Sequence, residues 1–160
     1  AMFAVGGAIG SVVINLMLRG HSSAKFSPAS VIAMGGAVLA FWLAVKSWTP
    51  APAGTLYGIG EFVHQPGAAF VGLSLVGVAV FGGMFVVPLY AFLTTTVPKD
   101  QTARTVAANN VVNSGAMTIG SLVVAGLTWF GVTPNDLLLA VVAMCFVSAW
   151  LAQKLHLACD

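Results

Sequence analysis

The sequence predicts an all-α, polytopic membrane protein, and three observations carry that prediction. Of its 160 residues, 59% are hydrophobic and only 6% are charged. The mean hydropathy is +0.98. An ordinary soluble domain carries about 25% charged residues, so a globule of this size has too few charges to cover its surface in water. The apolar residues also fall in five long runs, each near the roughly 20 residues that a membrane-spanning helix needs.

The first run covers about 1–18 and opens on "AMFAVGGAIGS", already apolar. No basic stretch precedes it and no small-residue cleavage site follows it, so it does not read as a secretory leader. "RGHSSAKFSP" leads into the second run, about 28–48. The long break "TPAPAGTLYGIGEFVHQPG" is rich in turn residues and precedes the third run, about 67–95. "TTTVPKDQTA" leads to the fourth, about 103–130, and "GVTPND" to the fifth, about 134–154. The third and fourth runs exceed the minimum length, which predicts tilt or a kink. Pro88 in "FVVPLYAF" marks the kink site, because proline removes a backbone hydrogen bond inside a helix.

The basic residues give an orientation. Successive connections alternate sides, so Arg19, Lys25, Lys99, Arg104 and Lys154 fall on one side and only Lys46 on the other. By the excess of lysine and arginine in cytoplasmic loops, the first and third connections and the C-terminus face the cytoplasm. Trp48 and Trp129 then sit at the outer ends of their helices, as an interfacial aromatic belt requires. Five spans entering from outside read as the back of a longer chain. Seven further spans upstream would make twelve, with both termini inside.

In lipid, small residues let helices approach closely. Gly6 and Gly10 form a G-x-x-x-G pair, and Ala79–Gly83 and Ala116–Gly120 are looser versions of it. Cys145 lies in an apolar run and Cys159 in the tail, and both read as structurally passive. Glu61 and His64 have an E-x-x-H spacing, but no second copy and no further carboxylates accompany them. No nucleophile elbow, zinc helix or phosphate loop is present, and no acidic residue sits mid-span. Enzymatic chemistry, a cofactor, a metal site and a nucleic-acid partner are therefore not expected.

"VPKDQTARTVAANNVVN" carries the candidate site. Asp100 and Arg104 are four apart and read as a pair or as the cap of the fourth helix, with Thr102 an alternative cap. Asn109 and Asn113 share one helix face, with Asn110 and Ser114 beside them. They lie roughly 7–14 Å beyond Arg104 at about 1.5 Å per residue, within the inner half of the hydrocarbon layer. Amides at that depth need partners or water. Two readings stand: hydrogen-bonded glue between helices, or the lining of a polar cavity open to the cytoplasm. Arg104 reads either as part of a solvated turn or as a contact for an anionic headgroup or substrate. Tyr90 follows Pro88 and is placed to face the same cavity; Asn15 is a weaker candidate.

The block from Val87 to Asn113 resembles the tenth and eleventh helices of major facilitator superfamily transporters, in the lysophospholipid transporter branch. The shared pattern is Val-Pro-Leu-Tyr-Ala at Val87 to Ala91, a charged turn from Pro98 to Arg104, then Ala-Asn-Asn-x-x-Asn at Ala108 to Asn113. "AIGS" at Ala8 to Ser11 looks like the family's eighth helix. The chain departs at Thr94, where a glutamine often stands in the branch. The resemblance implies five transmembrane helices of a C-terminal bundle, helices eight to twelve. It implies transport of lysophospholipid across the bacterial inner membrane to the cytoplasmic leaflet, for re-acylation by a fused or adjacent acyltransferase. It also implies that Tyr90, Asn109, Asn110 and Asn113 line the cavity, with Arg104 at its cytoplasmic mouth. The missing N-terminal bundle would supply the other wall. Two rival readings are a major facilitator exporter of drugs or small metabolites, and a non-transporting membrane assembly subunit.

Overall fold

The computed structural model of the chain describes residues 2–18, 26–48 and 57–159. It is all-helical, with α1 (Met2–Leu18), α2 (Ser27–Lys46), α3 (Ile59–Val63), α4 (Ala68–Thr96), α5 (Thr102–Trp129) and α6 (Leu137–Cys159). Arg19, His21, Lys25 and the prolines Pro50 and Pro52 lie outside the described residues. Four helices, α2, α4, α5 and α6, are long and apolar enough to cross a membrane. The fifth expected span, α1, is apolar but has 17 residues.

The distribution of side chains is the reverse of a water-soluble core. The buried positions are mostly small: Ser27, Ser30, Gly35, Ala44, Ala68, Ser74, Ala79, Ala149 and Ala152. Large apolar residues point outward, with Leu122 68% and Trp129 89% exposed. Lipid tails are as apolar as leucine, so bulky side chains gain nothing by facing inward. Close backbone approach and dispersion contacts select small residues between helices instead. The chain is a multi-pass membrane protein on this ground as well as on the length of its helices.

α4 is the hub. It packs against α1 and α2, and α2 in turn packs against α6. At the α1–α4 crossing, the two small-residue pairs of the sequence meet each other. A Cβ on Gly6 would lie 2.6 Å from the Ala79 Cβ, and one on Gly83 would lie 2.7 Å from the Gly7 carbonyl oxygen. A Cβ on Gly10 would run into the Val80 carbonyl. The third pair, Ala116–Gly120, meets nothing: a Cβ on Gly120 would face open space. On the other side of the hub, Val31, Cys145 and Ala149 form the α2–α6 core, with Met34 and Phe85 packed against it. Gly35 gives Cys145 its room, the two Cβ positions being 3.1 Å apart.

The connections are built from local hydrogen bonds. Gly67 enters α4 with φ of 93°, a left-handed conformation that glycine adopts without a Cβ clash. The Trp48 ring lies over Gly67 and stacks on Phe62 of α3, with centroids 5.5 Å apart. Glu61 accepts a hydrogen bond from the Gly58 N–H at 3.0 Å, which caps α3. His64 donates from Nδ1 to the Gly60 carbonyl at 2.7 Å. Both halves of the E-x-x-H pair are thus spent on one short helix, and no group of three metal-ligating side chains occurs among the described residues.

At the start of α6, the Thr133 hydroxyl donates to the Asp136 carboxylate at 2.8 Å and accepts from the Asp136 N–H at 3.2 Å. This reciprocal pair satisfies orphan groups at a helix N-terminus. Thr133→Ala is expected to cost about 1 kcal/mol, read as a lower Tm of the purified protein, with Thr133→Ser close to the parent. The opening of α5 differs from expectation. Gln101 is its N-cap residue and no side chain caps it. Asp100 and Arg104 do not pair with each other, and the Thr102 hydroxyl donates backward to the Pro98 carbonyl at 3.2 Å. A fully solvated turn explains this, because water satisfies both charges at no ordering cost.

Candidate functional site

The second half of α4 is not covered as its first half is. Beyond the Gly83 contact, one stripe of α4 carries Phe85, Leu89, Phe92 and Thr96, at helical spacings of four, three and four. The neighbouring stripe carries Val86, Tyr90, Leu93 and Val97. Together they floor an open groove of about 700 Å³. That volume lies in the range of small-molecule sites, roughly 300–1,000 Å³. Its walls are Asn109, Asn110 and Asn113 from α5, and Leu155 from the end of α6.

α5 stands against this groove with little else to hold it. It touches α4 lightly, and none of its residues is buried. Most of its hydroxyls differ from its amides; the Ser114 hydroxyl, like the amides, has no partner among the described residues. Thr105, Thr118, Ser121 and Thr128 return their hydroxyls to carbonyls three or four residues back, at 2.8–3.0 Å. A hydroxyl can satisfy itself on its own helix in this way, which is why serine and threonine are tolerated in lipid. A carboxamide has two donors and an acceptor and needs more than one carbonyl. The carboxamides of Asn109, Asn110 and Asn113 have no partner among the described residues. All three line the groove.

Tyr90 lines it from the floor, 45% exposed. Its hydroxyl likewise finds no partner among the described residues. Thr94, at the position where the sequence departs from the family pattern, turns away. Its hydroxyl donates to the Tyr90 and Ala91 carbonyls, each at 3.0 Å. Thr96 takes up a polar place in the lining that sequence reasoning misses. Arg104 is exposed on the first turns of α5 and is not part of the lining. Asn15 is exposed on α1, away from the groove.

The lining contains no charged side chain. One wall offers amide donors and acceptors, and the floor offers phenyl and aliphatic surface. Such a groove suits a molecule with a polar head and an apolar body. It offers no nucleophile–base pair and no ligand set for a cation. No family model, curated protein or solved structure matches this chain.

Proposed function

We propose that the chain is the C-terminal part of a secondary transporter of the major facilitator type, moving lysophospholipids across the bacterial inner membrane to the cytoplasmic leaflet. The observation that carries this reading is the set of three amides without a partner among the described residues, facing an aromatic and aliphatic floor across an uncharged groove. A lysophospholipid has a headgroup for the amides and one acyl chain for the floor. The resemblance of the Val87 to Asn113 block to the lysophospholipid branch points the same way.

In this reading the groove opens to the cytoplasm. Lys99 in the α4–α5 turn, Arg104 in the first turn of α5 and Lys154 near the end of α6 gather at its end of the bundle, as cytoplasmic basic residues do. Arg104 lies about 7 Å along the helix from Asn109. It attracts the phosphate at the mouth, and the amides take over the headgroup inside. Alternating access comes from rocking this bundle against an N-terminal bundle of the same polypeptide. That second bundle covers α5, whose Gly115, Gly120 and Gly126 face open space. The spans of this chain carry no carboxylate relay, so transport is either passive or coupled to an energy source elsewhere in the protein. An acyltransferase, fused or adjacent, consumes the product by adding a second acyl chain.

The bare α5 also favours a second reading, a non-transporting subunit that docks its partner along this helix. Uptake separates the two. Vesicles holding the intact protein are expected to take up labelled lysophosphatidylethanolamine faster than empty vesicles, and to leave the diacyl lipid where it is. Equal rates with and without the protein would favour the subunit.

A further inference from the structure

The amide groove does not end at α6. A second hollow of about 220 Å³ lies between α4 and α6, lined by Phe85, Leu89, Ser148, Leu151, Ala152 and Leu155. Phe85, Leu89 and Leu155 line both hollows, so the two adjoin along these three side chains. The cause is the way the helices pack. α6 is held by α2 and not along α4, so a cleft remains between α4 and α6. Phe85 reaches across the floor of this cleft to the core formed by Val31, Cys145 and Ala149. The arm is almost wholly apolar, and it runs along α6 for about 10 Å between residues 148 and 155. Leu151, at its edge, is 54% exposed, so the arm opens sideways, toward the lipid.

We infer that this α4–α6 arm receives the acyl chain of the amphiphile whose headgroup occupies the amide groove, and that residues 148–155 set which chain lengths are accepted. The inference rests on the transport reading above and adds to it a path for the tail. The walls shared by the two hollows, Phe85, Leu89 and Leu155, set the arm against the amide groove and commit it to that occupant. A head held by Asn109, Asn110 and Asn113 has the apolar α4–α6 arm directly beside it for its tail. The tail then stays in contact with membrane lipid while the head crosses. No interior cavity long enough for a whole acyl chain is needed.

The test uses the intact protein in vesicles with lysophosphatidylethanolamine of eight- or sixteen-carbon chains. Ser148→Phe narrows the arm from a half-buried position. It is expected to lower uptake of the long-chain lipid at least tenfold and of the short-chain lipid less than twofold. Ala152 is buried, and a bulky residue there risks the fold, so the second measurement leaves the protein unaltered. A lysophospholipid bearing a diazirine at the end of its chain is photolysed on the wild-type protein, and the adducts are mapped. Adducts within residues 148–155 are expected. Uptake with adducts confined to other helices, or equal loss for both chain lengths, would overturn the inference alone. No uptake of any lysophospholipid by the wild-type protein would overturn the transport reading, and this inference with it.

Discussion

Replacing Asn109 and Asn113 together by leucine is expected to lower lysophospholipid uptake about 10- to 100-fold, with the amount and Tm of the intact protein unchanged. In the transport reading each amide gives the headgroup one hydrogen bond of about 0.5–1.5 kcal/mol, and each 1.4 kcal/mol is tenfold. The fold has little to lose. Neither carboxamide has a partner among the described residues, and leucine is the more comfortable residue in lipid. The variant therefore divides the two readings that the sequence leaves open. Glue between helices would show as lost folded protein. Contact with cargo shows as lost transport by a protein that still folds. Asn110→Leu belongs in the same series, since Asn110 lines the groove from the adjacent face.

The largest structural effect is expected at Gly10. Gly10→Leu drives a side chain into the Val80 carbonyl, and backbone cannot yield as a side chain can. Overpacking typically costs about 1–3 kcal/mol, and a clash with backbone belongs at the upper end. α1 would then leave α4, and a cysteine pair placed across the crossing would no longer cross-link. Gly36→Leu is the matched control. It adds the same side chain on an exposed position of α2, where nothing lies within 4 Å, and its effect on stability is expected to stay within about 0.5 kcal/mol. An equal effect at both positions would mean that the α1–α4 crossing is not what holds the hub together.

That contrast also marks what the sequence makes legible. Gly6–Gly10, Ala79–Gly83 and Ala116–Gly120 look alike as patterns. Two of them face each other and one faces open space, a fact of three-dimensional pairing that spacing does not encode. The spans themselves are legible because hydropathy is strong and turn residues are clear. The observed α2, α4 and α5 begin and end within two residues of the runs read from the sequence. α6 is the exception, continuing past Lys154 to Cys159. The apolar run stops at a charge, but the helix does not. The Lys154 ammonium folds back over the Trp150 ring at 4.0 Å, and the backbone ladder runs on. α3 is invisible in the sequence because five residues hold barely more than one turn and show no periodicity.

The site is half legible for a similar reason. Amides stand out in a chain that is 59% hydrophobic, and Asn109, Asn110 and Asn113 are plain in the sequence. Phe85, Leu89, Phe92 and Leu155 are not, because an apolar residue that floors a groove looks like one that faces lipid. In water, the contrast between an apolar and a polar side tells the inner face of a helix from the outer. In a bilayer both faces are apolar, and that signal is lost. Tyr90 is legible through its hydroxyl. Thr96 is hidden among three consecutive threonines, two of which spend their hydroxyls on carbonyls of α4 itself. Of the readings that the sequence leaves open for Asp100 and Arg104, the structure has the solvated turn, because spacing permits contact but an exposed turn does not require it.

The central claim is that the groove between α4 and α5 holds the head of a lysophospholipid, and photolabelling tests it most directly. The intact protein, in a lipid nanodisc, is exposed to a lysophosphatidylethanolamine carrying a photoreactive group on its headgroup, with and without excess unlabelled lipid. The account predicts adducts on residues 85–97 and 109–113 that the unlabelled lipid suppresses. Adducts that lie on α1 and α2 instead, or that persist undiminished under competition, would contradict it.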